Sequence, residues 1–221
     1  GLQLGQFVNK IPSQTPLMVQ EKGVATSVAA DGEIPYQLTP NEEGRFADLA
    51  GKNNAFATID YSMDPPWVFV GQQVTLEEIG LGDAKSAKRE ARRVSAVGMG
   101  CPNCGGPLDL VAPDKTERVA CPNCNSLLDV NQGNLSYLHA LNPSPAPDFV
   151  LPVGAEGTFM GDVRFKIIGA VARSVTFDGI KYFWHEYLLY NPMVGFRWLV
   201  HSDNHWNFVE PINPADVERD N

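Results

Sequence analysis

The chain has 221 residues, of which 43% are hydrophobic and 19% charged, and its formal net charge is −9. This composition is that of an ordinary globular protein with a core, and 20 glycines with 17 prolines favour many turns and a β-rich fold. Neither the cysteine-containing middle nor either flank is net positive, which argues against a broad phosphate-binding surface. No apolar run approaches the roughly 18 residues that cross a bilayer, so no transmembrane segment is expected in this chain.

Residues 1–97 are predicted to form a compact α+β module. Two sequences, Thr39-Pro40-Asn41-Glu42 and Thr75-Leu76-Glu77-Glu78, have the pattern of a capping box, in which a threonine hydroxyl and a glutamate carboxylate satisfy backbone amides at a helix start. The first is expected to open a short helix that ends at Gly51. Strands are predicted from runs rich in β-branched and aromatic residues, at 24–29, 34–38, 55–61 and 67–70, with Asp31-Gly32 and Asp64-Pro65-Pro66 as turns.

A short basic helix is predicted over residues 84–97, with Asp83 as its cap. Its alanines form one stripe, while the basic side chains lie elsewhere on the helix: Lys85, Lys88, Arg89, Arg92 and Arg93. One interpretation is a solvated helix that packs its alanine stripe on its neighbours. The other is a contact surface for an acidic protein, lipid headgroups or nucleic acid.

The four cysteines lie in two Cys-Pro-Asn-Cys sequences, at Cys101, Cys104, Cys121 and Cys124. Two residues between paired cysteines let a tight turn direct both sulfurs at a point about 2.3 Å away, as tetrahedral zinc requires. The sixteen intervening residues fit a hairpin that returns the second pair to the first. We therefore predict a zinc ribbon over residues 98–140. Disulfides, a redox pair and iron bound by the same sulfurs are the alternatives.

A zinc ion held by four thiolates has no open position for water or substrate, so its expected role is structural. A ribbon of about forty residues lacks the core to fold alone, and metal binding supplies about 10 kcal/mol or more of folding free energy. Reduced cysteines that hold zinc also point to a reducing compartment, hence the cytoplasm or the cytoplasmic face of a membrane.

A proline-rich linker at residues 142–147 separates the ribbon from a predicted antiparallel β domain at 149–211. Strands are expected at 163–172, 179–190, 195–201 and 205–209. If the turn after Asn191 pairs Tyr190 with Phe196, then Trp184, Glu186 and Leu188 share a face with Trp198 and Val200, and His185 falls opposite His201. The whole chain is thus predicted to be mainly β (α+β), with two small antiparallel β modules that flank the ribbon.

Four polar side chains of this domain are candidate site residues: His185, His201, His205 and Glu186. His185 with His201 is either a metal or proton site or a polar pair, and His201 with His205 is separated by a turn sequence that disfavours a shared metal. Glu186 lies beside Trp184 and Trp198 on the predicted face. A carboxylate there needs a cationic partner, for which the candidates are Arg164, Arg173 and Arg197.

The sequences Trp184-His185-Glu186-Tyr187-Leu188-Leu189 and Gly195-Phe196-Arg197-Trp198-Leu199, with Trp206 beyond them, resemble the bacterial domain of unknown function 4178. Residues 161–169 resemble its first core strands, and a preceding ribbon also fits, so that the resemblance covers about residues 98–210. It implies no activity and no catalytic residues. It does imply an accessory role at the cytoplasmic membrane, because members are encoded beside polyamine-synthesis-like enzymes and membrane-stress proteins.

The leading hypothesis from the sequence is therefore a non-catalytic zinc-ribbon binding or scaffold protein. Its basic helix and the aromatic face of Trp184, Glu186 and Trp198 are expected to contact protein partners. A nucleic-acid-binding ribbon is one alternative, although its finger offers only Lys115 and Arg118 against three acidic residues. An enzyme of unknown type is the other, and no phosphate-binding loop or nucleophile motif supports it.

Overall fold

The computed structural model describes residues 2–8, 11, 15–86, 99–131, 134–141, 146–159 and 161–213. This part of the chain is almost entirely β-structure, with one 3-10 turn at Gly82–Ser86. No helix in it is long and apolar enough to cross a membrane. The strands, β1 to β15 in chain order, are Phe7–Val8, Leu17–Ile34, Glu43–Ala50, Ala55–Asp60, Trp67–Val74, Met99–Gly100, Pro107–Leu108, Arg118–Ala120, Ser126–Asn131, Asn134–Ala140, Glu156–Phe159, Val163–Phe177, Ile180–Asn191, Gly195–Ser202 and His205–Ile212.

Eight of these strands close into an antiparallel barrel in the order β2-β3-β4-β5-β15-β14-β13-β12, and β12 pairs with β2 to complete the ring. The prediction of an α+β protein with two separate β modules is therefore wrong. Four strands from before the cysteine segment and four from after it lie side by side in one barrel, and the two sets meet where β5 pairs with β15 and where β12 pairs with β2. The physical reason is the length of β2 and β12, 18 and 15 residues, which lets each pair with different neighbours along its course.

The predicted helix before Gly51 is also wrong, because residues Glu43–Ala50 form β3. Its burial alternates, with Ala47 and Leu49 buried between half-buried neighbours, as a strand requires. Asn41 has a left-handed backbone with φ of 63°, which no helical first turn accommodates. The second capping box does form both of its hydrogen bonds, between Thr75 and Glu78, but the chain ends the turn at Gly80, whose φ is 69°.

Two further predictions in this region are wrong. Asp31-Gly32 is not a hairpin turn, since β2 runs through both residues without interruption. The basic helix expected at 84–97 is replaced in the described residues by the 3-10 turn Gly82–Ser86. Residues 87–98, which include four of the five basic residues singled out, lie outside the described part of the chain.

The C-terminal meander agrees with the prediction in both strands and register. Strands β12 to β15 pair in sequence order, and β13 pairs with β14 so that Tyr190 lies opposite Phe196 and His185 opposite His201. The largest apolar cluster lies on the face of these strands that carries Tyr187 and Leu199, both fully buried. Leu81, just before the 3-10 turn, and Leu151, before β11, pack in this cluster.

Candidate metal centre

The first Cys-Pro-Asn-Cys sequence folds into a tight loop that we call knuckle 1, residues 101–106. The Cys101 amide donates to the Gly106 carbonyl at 2.8 Å, and the Gly105 amide donates back to the Cys101 carbonyl at 2.8 Å. Gly105 has φ of 72°, in the left-handed region where glycine has no Cβ penalty. This backbone loop holds the two sulfurs on the same side of the turn.

Knuckle 2, residues 121–126, repeats this hydrogen-bond pattern. The Cys121 amide donates to the Ser126 carbonyl at 2.8 Å, and the Asn125 amide donates to the Cys121 carbonyl at 2.9 Å. Asn125 takes the position of Gly105 with φ of 54°, which asparagine tolerates better than most residues. Gly105 and Asn125 thus supply the left-handed residue of each knuckle.

The four cysteine sulfurs all lie within 4.8 Å of one another and could hold a metal ion. The Cys101 and Cys124 sulfurs are 3.8 Å apart, and those of Cys104 and Cys121 are 3.9 Å apart. A tetrahedron with metal–sulfur bonds of about 2.3 Å has edges of about 3.8 Å. A disulfide bond would need about 2.05 Å. The donor set therefore fits a shared four-coordinate ion.

Asparagine side chains link the two knuckles across the site. Asn103 of knuckle 1 donates to the Ser126 hydroxyl at 2.9 Å and lies 3.7 Å from the Cys124 sulfur. Asn123 of knuckle 2 lies 3.9 Å from the Cys121 sulfur, and a Cβ added at Gly106 would meet its amide nitrogen at 2.5 Å. A side chain at Gly106 would therefore displace the Asn123 amide, and each asparagine supplies donors beside a sulfur.

The protein environment acts differently on the individual thiols. Hydrogen bonding to Ser126 lowers the pKa of Cys124 to about 6, whereas burial raises the pKa of Cys121 to about 12. A bound cation favours the thiolate at every ligand, because metal binding displaces the thiol proton. Cys101 and Cys121 are buried against Leu108, Val119 and Leu128 of the ribbon, while Cys104 is exposed.

Glu186, another candidate site residue predicted from the sequence, is paired with Arg173, one of its three predicted partners. Its carboxylate accepts from the Arg173 guanidinium at 2.9 Å and from the Trp184 indole at 2.9 Å. Trp184 packs on Phe46 of β3, with ring centroids 5.5 Å apart, so strands that are not neighbours meet here. Trp198 packs on Phe69 in the same way at 5.0 Å. Both oxygens of Glu186 therefore have donors within the fold.

Asp48 belongs to the same region and was missed from the sequence. Burial raises the pKa of its carboxyl to about 7, with the charges of Glu21 and Glu186 adding to the effect and a hydrogen bond from Thr58 opposing it. The alternation of β3 does not identify Asp48, because its side chain lies on the opposite face from the buried Ala47 and Leu49.

The histidines do not gather into a metal site. His185 and His201 lie opposite each other with ring centroids 6.1 Å apart, but His185 Nε2 lies 3.1 Å from the Pro147 carbonyl, and burial lowers its pKa. His205 bonds to Gln73 at 2.6 Å. Among the described residues the four cysteines form the one group of three or more His, Cys, Asp or Glu side chains placed to share a metal.

No family model matches the sequence, and no curated protein or solved structure is significantly similar to it.

Proposed function

We propose that this chain is a non-catalytic zinc-ribbon protein, in which the four cysteines hold one structural zinc ion and the barrel serves as a binding or scaffold module. The observation that carries the proposal is the tetrahedral spacing of the sulfurs, 3.8 and 3.9 Å along two edges. Zinc is the ion chosen because four thiolates in paired Cys-x-x-Cys turns are its usual structural ligand set. Iron bound by the same four sulfurs is the alternative.

The role proposed for the ion is mechanical. Four thiolates fill a tetrahedral coordination sphere, so no position remains for water or substrate. The polar groups that the sequence offered for catalysis are engaged elsewhere: Glu186 is bonded to Arg173 and Trp184, and His185 contacts the Pro147 carbonyl. These engagements support a structural role for both side chains.

A nucleic-acid-binding function loses support from the contacts of its two basic residues. The Lys115 ammonium lies 5.5 Å from the Tyr190 ring and 6.0 Å from the Phe196 ring, in cation–π range. Arg118 forms an ion pair with Asp129 on the neighbouring strand. Both cations of the ribbon finger are therefore committed to intramolecular contacts and would have to release them to bind phosphate.

The proposed partner is another protein. The outer end of the β12–β13 hairpin exposes 67% of Phe177, 58% of Ile180 and 47% of Tyr182. Apolar groups this exposed, in adjacent positions of one hairpin, are typical of contact surfaces. The resemblance to domain of unknown function 4178 implies the context, an accessory role in a membrane-associated stress or polyamine-linked system at the cytoplasmic face of the membrane.

Two measurements test these proposals separately. Metal analysis of the reduced protein is expected to give one zinc per chain, and the variant Cys104→Ser is expected to lose it. Chemical cross-linking in native cells is expected to capture the same partner with wild type and with Met193→Ser, a matched substitution at a side chain that is 94% exposed elsewhere. The variant Phe177→Ser/Ile180→Ser is expected to lose that partner, and unchanged capture would refute this contact surface.

A further inference from the structure

The segment that follows knuckle 1 and the strand that leads into knuckle 2 are both anchored on the last residues of β2. Through β8, knuckle 2 is paired to this strand, with Ala120 opposite Gly32 and Val119 opposite Glu33. The ligand Cys121 directly follows Ala120 in the chain. On its other side the same Gly32 lies opposite Gly169 of β12, which is the pairing that closes the barrel. Cys121 is therefore connected to β12, the strand that closes the barrel, through two strand pairings: β8 with β2, and β2 with β12.

Glu33 anchors the segment that follows knuckle 1. Its side chain is 2% exposed, and its carboxylate accepts from the Val111 amide at 2.6 Å, the Ala112 amide at 3.0 Å and the Thr116 hydroxyl at 2.7 Å. Charge-assisted hydrogen bonds of this kind are among the stronger ones, and an unmet partner at a buried site is costly. The chain between the two cysteine pairs is thus fastened to a barrel strand.

The closing strands approach each other too closely for side chains at two positions. A Cβ added at Gly169 would lie 1.8 Å from the Glu33 carbonyl oxygen, and one added at Gly32 would lie 2.3 Å from the Ile168 carbonyl oxygen. Ala112 of the ribbon packs with Ile168 and Leu188 of the barrel strands at the same place. We call the pairing of residues 26–32 with β12 and of residues 32–34 with β8, with these contacts, the closure seam.

We propose that metal binding at the four cysteines and closure of the barrel at the closure seam form one coupled equilibrium, with Glu33 as the positioning residue that connects them. The proposal rests on the proposed metal site and adds a regulatory property to it. The metal fixes the two knuckles relative to each other, and the chain that joins them is attached to residues 32–34. When the metal is lost, the two knuckles are no longer fixed to each other. The pairing of β2 with β12 is then less stable.

Hydrogen exchange of the full chain, with one equivalent of Zn²⁺ and after chelation, tests the coupling. Zinc is expected to slow exchange about tenfold or more both in the ribbon and in the backbone amides of residues 32–34 and 169–172. Glu33→Gln is expected to bind one zinc per chain but to lose the metal-dependent slowing at 169–172. Thr116→Val removes one of the donors to Glu33 and is expected to lose part of the metal-dependent slowing at 169–172. This variant provides a second test if Glu33→Gln does not fold.

Glu43→Gln, at an exposed carboxylate of β3, is the matched control and is expected to behave as wild type. A protein that binds one zinc per chain but shows metal-dependent protection only within residues 99–131 would overturn the coupling and leave the metal site intact. Wild-type behaviour of Glu33→Gln would overturn the role of Glu33. A protein that binds no metal would instead refute the proposed function itself.

Discussion

Removal of either partner of the Arg173–Glu186 ion pair is expected to destabilise the barrel strongly. The Arg173 Nε lies 2.9 Å from the Glu186 carboxylate, and the side chains are only 13% and 19% exposed. Glu186→Gln leaves the guanidinium without its counter-charge in a poorly solvated place. Removing one partner of a buried pair costs about 3–5 kcal/mol, and the partial exposure here places the expected loss near the lower limit, about 3 kcal/mol.

Urea denaturation of Arg173→Met, Glu186→Gln and the double variant measures this effect. Each single change is expected to lower the free energy of unfolding by about 3 kcal/mol, and the double variant is expected to lose clearly less than the sum. Arg164→Met is the control, because the Arg164–Glu156 pair is 75% and 38% exposed and is expected to contribute about 0–1 kcal/mol. Losses of that small size at Arg173 and Glu186, or additive losses in the double variant, would refute the reasoning.

Three further predictions concern the barrel. The raised pKa of Asp48, about 7, means that the contribution of this carboxyl to stability is fully present below about pH 4 and is lost as the pH rises through 7. Asp48→Asn is expected to remove this contribution to the decline in pH-dependent denaturation curves. Gly169→Ala forces a Cβ to within 1.8 Å of the Glu33 carbonyl oxygen, so the free energy of unfolding is expected to fall by about 3 kcal/mol or more. Gly82→Ala, whose nearest contacts are at 3.5 Å, is the control and is expected to change it little. Equal melting temperatures for the two variants would contradict this. Phe177→Ser is expected to leave the free energy of unfolding within about 0.5 kcal/mol of wild type, and a larger loss would show that this exposed side chain packs within the fold.

The parts of the structure that are local in sequence were predictable. The strands from Val163 onward are rich in β-branched and aromatic residues and are separated by short turns, so the register that places His185 opposite His201 follows from the turn after Asn191. The gathering of the four cysteines was predictable for the same reason, since each knuckle is a loop of six residues whose ligand spacing fixes its geometry. The repeated asparagine of the two Cys-Pro-Asn-Cys sequences carried a signal that was not used, because Asn103 and Asn123 reach across to the opposite knuckle.

Closure of the barrel was not predictable from local patterns. Strand β2 pairs with β3, β12 and β8 in turn, so its burial pattern has no single period, and a glycine within it suggested a turn instead. A capping-box sequence before β3 suggested a helix, and pairing with the neighbouring strands overrode that local preference. Glu33 could not be identified as an anchor, because the amides that it binds are 78 and 79 residues away in the chain.

Metal analysis of the reduced protein, combined with cobalt substitution, tests the central claim most directly. One zinc per chain is expected, replaceable by cobalt with the absorption of a tetrahedral four-thiolate site, and Cys121→Ser is expected to abolish that spectrum. A reduced, folded chain that contains no stoichiometric metal and takes up no cobalt would contradict the account.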